Sequence, residues 1–172
     1  MTYSYKQKLE QFNSTEKYAI ELAFLHRLLG ETNGALIMDY GCGIGNAVKY
    51  LSEKGRSVAG YDKTLYFKTA PDWFGIAPAG TTYFMHSIAH IEDIEEVLSN
   101  TRGKVVVITP NLSWLNKITD NNYEPDTTVI SHFNAQSLHD LFKDAGFRVS
   151  VCGQFGKIHD GQNERLFLMA YK

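Results

Sequence analysis

The run Leu36-Ile-Met-Asp-Tyr-Gly-Cys-Gly-Ile-Gly45 constrains this chain more than any other stretch. It passes from an apolar segment, Ala35–Met38, through an acid at Asp39 to glycines at 41, 43 and 45. A helix-compatible segment, Asn46–Ser52, follows. This is the pattern of a strand, a glycine loop and a helix. Glycines let the backbone turn sharply and let a ligand approach where a Cβ would intrude. The helix N-terminus adds unpaired backbone N–H groups.

The loop does not fit the dinucleotide fingerprint G-x-G-x-x-G/A. Counted from Gly41 and Gly43 the last slot is Asn46, and counted from Gly43 and Gly45 it is Val48. The spacing is instead G-x-G-x-G, with an acid two residues ahead. A second acid, Asp62, closes the next strand-like segment, Ser57–Tyr61. It lies 21 residues past Gly41, at the offset of a ribose-binding carboxylate in a βαβ nucleotide site.

Further along, Thr81–Met85 reads as a strand, followed by His86-Ser-Ile-Ala-His-Ile-Glu-Asp93. Ile91, Ile94 and Leu98 then recur at helical spacing. Lys104–Thr109 is a continuous β-branched run of the kind buried on both sheet faces, and Pro110-Asn111 ends it. Ahead of the glycine loop, Tyr18, Leu22, Leu25 and Leu29 define an amphipathic helix that stops at Gly30. Asn13 and Glu16 form a candidate capping box. After it, Asn134 is a candidate N-cap for a helix with apolar face Leu138, Leu141 and Phe142, which stops at Gly146. Arg148–Cys152 and Leu166–Tyr171 are the last two strands. Their polar, glycine-rich link, Gly153–Glu164, predicts an antiparallel pairing.

These pieces predict an α/β fold: a doubly wound, mostly parallel sheet with its last strand reversed. The stretch 63–80 shows no clean helix and strand, so either that unit is shortened or its third strand is degenerate. Asp72 is its only acid, beside Trp73 and Phe74. Residues 1–13 read as an N-terminal extension of a single domain spanning 1–172. Residues 112–132, with Trp114 and Tyr123, read as an insert on the substrate side.

In order and spacing, Asp39–Gly45, Asp62, Ser87–Asp93 and Ala145-Gly-Phe147 resemble the class I S-adenosylmethionine (SAM) methyltransferases. Ile108-Thr-Pro-Asn111 resembles their small-molecule, ubiquinone-pathway-like branch. The resemblance implies a Rossmann-like seven-stranded sheet and SAM as methyl donor, with S-adenosylhomocysteine (SAH) as product. It assigns Asp39, Tyr40, Gly41, Cys42, Gly43, Gly45, Asp62, Lys63, Ser87 and Ile88 to the cofactor. His90 and His132 become candidate catalytic groups, and His86 a packing residue. No residue is assigned to a metal.

Composition narrows the acceptor. The formal net charge is −2, so no general basic field draws nucleic acid. No Pro-Pro-aromatic signature of nucleic-acid N-methyltransferases follows Met85. Both point to a small-molecule acceptor. No apolar run approaches the roughly 20 residues of a membrane span, and the N-terminus shows no signal core. Cys42 and Cys152 are the only cysteines, which fits a reducing, cytoplasmic setting. A non-catalytic binding subunit of the same fold and an NAD-dependent oxidoreductase are the competing readings.

Overall fold

A computed structural model of the protein describes residues 10, 14–32, 34–63, 80–113, 129–159 and 162–172. Along the chain come α1 (Glu16–Leu29), β1 (Ile37–Tyr40), α2 (Asn46–Glu53), β2 (Val58–Tyr61) and β3 (Thr81–Met85). A 3₁₀ turn at Ile88–His90 leads to α3 (Ile94–Asn100), β4 (Lys104–Pro110), α4 (Ala135–Asp144), β5 (Arg148–His159) and β6 (Gln162–Tyr171).

The strands form one sheet in the order β2-β1-β3-β4-β6-β5. β1 pairs in parallel with β2 and β3, and β3 with β4. β6 runs antiparallel to both β4 and β5. The mostly parallel sheet and the reversed terminal strand agree with expectation. The count does not: six strands stand among the described residues, not seven. The segment expected to hold the third strand, with Asp72, Trp73 and Phe74, lies outside the described residues. So does most of the 112–132 insert, with Trp114 and Tyr123.

Alternation along the central strands builds two cores. Phe84, Val105 and Val107 join α3 and α4 on one face, through Leu98, Leu138 and Phe142. Tyr83, Met85, Val106 and Ile108 join α1 and α2 on the other, through Leu22, Leu25, Leu29 and Leu51. A strand's side chains alternate between faces, so one continuous apolar run serves both cores. Leu25, Leu138 and Phe142 are fully buried, each contributing about 2 kcal/mol by burial.

Helix ends show why local signals were only partly readable. The start of α1 is capped by Thr15, whose Oγ1 accepts from the Tyr18 N–H at 3.2 Å, not by the Asn13–Glu16 box. Its end is held from a distance: Lys104 Nζ donates to the carbonyls of Leu28 and Leu29 at 2.7 and 2.9 Å, a favourable cation at a helix C-terminus. Asn134 caps α4 as expected, in a reciprocal box with Ser137. The final hairpin is longer than its sequence suggested, because the polar link itself pairs. Its register breaks between Val149 and Val151 and between Phe155 and Ile158.

Candidate active site

The strand order reverses direction between β1 and β3, and ligands of open α/β sheets bind at the carboxyl ends of strands beside such a switch point. The glycine loop leaves β1 there, and the Ser87 segment leaves β3. The Gly41 and Cys42 N–H groups donate to the Tyr61 carbonyl at 2.7 and 2.9 Å, pinning the loop to β2. Gly45, at φ +81, turns the chain into α2.

Gly41 has to be glycine on two grounds. Its φ is +81, and a Cβ there would stand 2.3 Å from the Cβ of Ser87. Ser87 in turn donates its hydroxyl to the Tyr40 carbonyl. The two segments flanking the switch point are therefore in direct contact. Gly60, under the loop, has no room for a Cβ against Cys42 and Val48. Cys42 is thus a packing residue, and burial pushes its thiol up to about 12.

Asp39 lies in β1 and Asp62 directly follows β2, the neighbouring strand, but their surroundings differ. Asp62 accepts the Gly43 N–H at 2.7 Å. Asp39, paired in register with Gly60, is only 1% exposed. It sits enclosed beneath the loop instead of lining an open crevice. Burial pushes its carboxyl up to about 8; the nearby Tyr83 hydroxyl moderates this and the charge of Asp62 adds to it. Neither Asp39 Oδ1 nor the Tyr83 hydroxyl has a hydrogen-bond partner of good geometry among the described residues. A buried, unsatisfied carboxyl oxygen is costly, and a nearby cationic ligand relieves it. SAM, with its ammonium and sulfonium, is such a ligand, so the residues present fit the cofactor.

The other assigned positions divide. Tyr40, half-buried, stacks its ring 5.1 Å from Tyr61 and 5.6 Å from Phe84. Ile88 is fully buried in the α3–α4 core, so only its backbone can meet a ligand. Lys63 is exposed and reaches Glu92 at 3.5 Å, a pair worth little in water. His90 ends the 3₁₀ turn, its N–H bonded to the Ser87 carbonyl at 2.9 Å. Ile130 and Ser131 donate to the Ala89 carbonyl beside it, which brings the exposed His132 to the same turn.

One constellation escaped the sequence reading. His86 Nε2 lies 2.6 Å from Glu21 Oε2, and Arg165 Nε donates to Glu21 Oε1 at 2.7 Å. Arg165 also meets Glu164, which pairs with Lys17. Burial works to raise the Glu21 carboxyl, but bonds and charges from His86 and Arg165 win and hold it below the usual range. Burial lowers His86; Glu21 opposes this, while Arg165 and Lys17 reinforce it, and the result is a lowered value. The available signal was Glu21, an acid beside Leu22 and Leu25 on the apolar stripe of α1. Its partners come from 65 and 144 residues away.

The chain matches the family described as a methyltransferase domain over residues 12–150. No curated protein matches it in sequence. Among solved structures, a SAM-dependent methyltransferase from Aquifex aeolicus superposes with a TM-score of 0.69 at 14% identity, covering 98% of each chain. Magnesium protoporphyrin IX methyltransferase (ChlM) from Synechocystis PCC 6803, crystallised with bound SAH, gives 0.59 at 18% identity, over 99% of this chain and 88% of that one. A chain of the Pnkp1/Rnl/Hen1 RNA repair complex gives 0.61 at 13% identity, over 92% of this chain and 42% of that one. The family match sets aside the oxidoreductase alternative, and with the glycine loop and its two acids it makes the chain a member of the methyltransferase domain family, a class I SAM-dependent methyltransferase.

Proposed function

We propose that this enzyme methylates a small-molecule acceptor. The observation that carries the reading is a pocket of about 490 Å³ between α1 and the β5–β6 hairpin, with Glu21 in its wall and Ile20 and Phe155 as apolar lining. That size suits a compact organic molecule. The formal charge of −2 gives no general attraction for a polyanion. The Ile108–Asn111 run supports placement in the ubiquinone-pathway-like branch. Related folds serve both kinds of acceptor, since one neighbour is named for magnesium protoporphyrin IX and another belongs to an RNA repair complex.

SAM supplies an already electrophilic sulfonium methyl, so the protein's main work is alignment. In this reading Asp39, Tyr40, Gly41, Cys42, Gly43 and Gly45 enclose the methionine end. Asp62, steadied by Gly43, accepts the ribose hydroxyls. A carboxylate has about four acceptor sites, enough for the loop and a diol. Lys63, Ser87 and the Ile88 backbone complete the cofactor side, and His90 and His132 are acceptor contacts. The whole chain acts as one domain.

Thermal shift with SAM, SAH and NAD tests the cofactor assignment. A ligand at 100 times its Kd adds about 2.7 kcal/mol, and only the first two should do so. SAH release with small-molecule extracts against single-stranded RNA tests the acceptor. Release with RNA alone would replace the small-molecule reading.

A further inference from the structure

We propose that Tyr83 is a positioning residue for cofactor binding: its hydroxyl becomes the donor that holds Asp39 as a carboxylate when the positively charged end of SAM arrives at the glycine loop, and the proton that Asp39 carried leaves for solvent. This rests on the cofactor assignment above. Asp39 and Tyr83 are partners in register across β1 and β3. Alternation puts both on the α1 face of the sheet, with Ile37 and Met85. Asp39 is 1% exposed and Tyr83 is fully buried.

Four buried side-chain oxygens lack a hydrogen-bond partner among the described residues: Asp39 Oδ1, Thr82 Oγ1, the Tyr83 hydroxyl and Thr109 Oγ1. The two threonines fall on the opposite face, beside Phe84 and Val107. Of the four, only Asp39 and Tyr83 share a face and a register position. The Tyr83 hydroxyl is close enough to act on the Asp39 carboxyl, yet no bond of good geometry joins them. Packing does not require that hydroxyl. Phenylalanine would fill the same space without burying an unpaired oxygen, which costs stability.

The other groups facing Asp39 bring no positive charge. Asp62, after β2, adds a negative one. Tyr18 from α1 and Cys42 from the loop keep their protons, because burial pushes both up and the Asp39 charge adds to it. Glu21, also on α1, is matched by His86 and Arg165. β2 offers only Gly60 in register with Asp39, and α2 turns Ala47 and Leu51 into this core. The cation that ionises Asp39 therefore comes with the ligand, and in a buried setting its charge acts strongly. In the step the Asp39 O–H bond breaks, the electron pair stays on the carboxylate and the proton goes to solvent. The Tyr83 O–H then has an ionised acceptor, and such bonds are shorter and stronger than neutral ones.

Carbon NMR of protein labelled at tyrosine Cζ reads the hydroxyl directly. The Tyr83 signal, identified by its loss in Tyr83→Phe, should move as Asp39 titrates at about 8 in the cofactor-free protein. It should stay still in Asp39→Asn. SAM added at pH 6.5 should carry the signal to its high-pH position. Calorimetry of SAM binding at pH 6.5, in two buffers of different ionisation enthalpy, should count about one proton released by the wild type and none by Asp39→Asn. Tyr83→Phe keeps the ring and should bind SAM about 10-fold more weakly at that pH, because it lacks the donor. A Tyr83 signal indifferent to pH and to SAM, no proton release, or wild-type affinity in Tyr83→Phe would overturn this inference alone. Failure of the wild type to bind either SAM or SAH would remove the methyl-transfer reading as well.

Discussion

The backbone N–H of Gly43 donates to the Asp62 carboxylate at 2.7 Å, tying the loop after β1 to the end of β2. One carboxylate thus shapes the loop and stands where a ribose is expected. Asp62→Ala removes both functions and should weaken SAH binding about 10- to 100-fold, since hydrogen bonds to charged groups contribute about 1.5–3 kcal/mol. Asp62→Asn keeps an acceptor for Gly43 and should lose less. Titration calorimetry of the two variants separates them, and equal losses would show that the loop tie is irrelevant.

Asp39 makes stability depend on pH in an unusual direction. Its carboxyl is pushed by burial up to about 8 from the ordinary 3.8. Between those values the folded protein holds a proton that the unfolded chain has released, so stability falls as pH rises through the window and levels off above it. Asp39→Asn should flatten that fall in thermal melts from pH 5 to 9. SAM, being cationic, favours the carboxylate, so its affinity for the wild type should rise over the same range.

Gly41 and Gly55 share a left-handed backbone, φ +81 and +77, but a Cβ meets Ser87 at the first and nothing within 4 Å among the described residues at the second. Gly55→Ala should cost about 1 kcal/mol from backbone strain alone. Gly41→Ala should cost more and abolish cofactor binding, because the Ser87 Cβ is not a flexible chain end. Denaturant unfolding with SAH calorimetry reads both.

Away from the site, Phe142→Ala should cost about 3–5 kcal/mol for a fully buried ring in the α3–α4 core. Asn134→Ala should cost about 1 kcal/mol through loss of the α4 cap. Neither residue belongs to the proposed site. SAH affinity of the folded fraction should therefore stay within about 2-fold, taking ±0.5 kcal/mol as the effect of a distant site.

The features legible in the sequence were the local ones. The Asp39–Gly45 loop, the Asn134 cap, the buried β4 run and the closing hairpin each follow from backbone preferences and apolar periodicity within a few residues. Parallel pairing of β1, β3 and β4 followed from the alternation of elements. Two local readings failed where alternatives lay within two or three residues: Thr15 caps α1 instead of Asn13, and the supposed polar link of the hairpin pairs as strand.

What only the tertiary structure decided was the electrostatic surroundings of the site. Asp39 and Asp62 look alike in sequence, yet one is enclosed with no partner for Oδ1 among the described residues and the other is bonded to the loop. The triad of Glu21, His86 and Arg165 draws on α1, the end of β3 and β6. Burial and charge pairing depend on which distant strands and helices meet in space, and no spacing along the chain encodes that meeting.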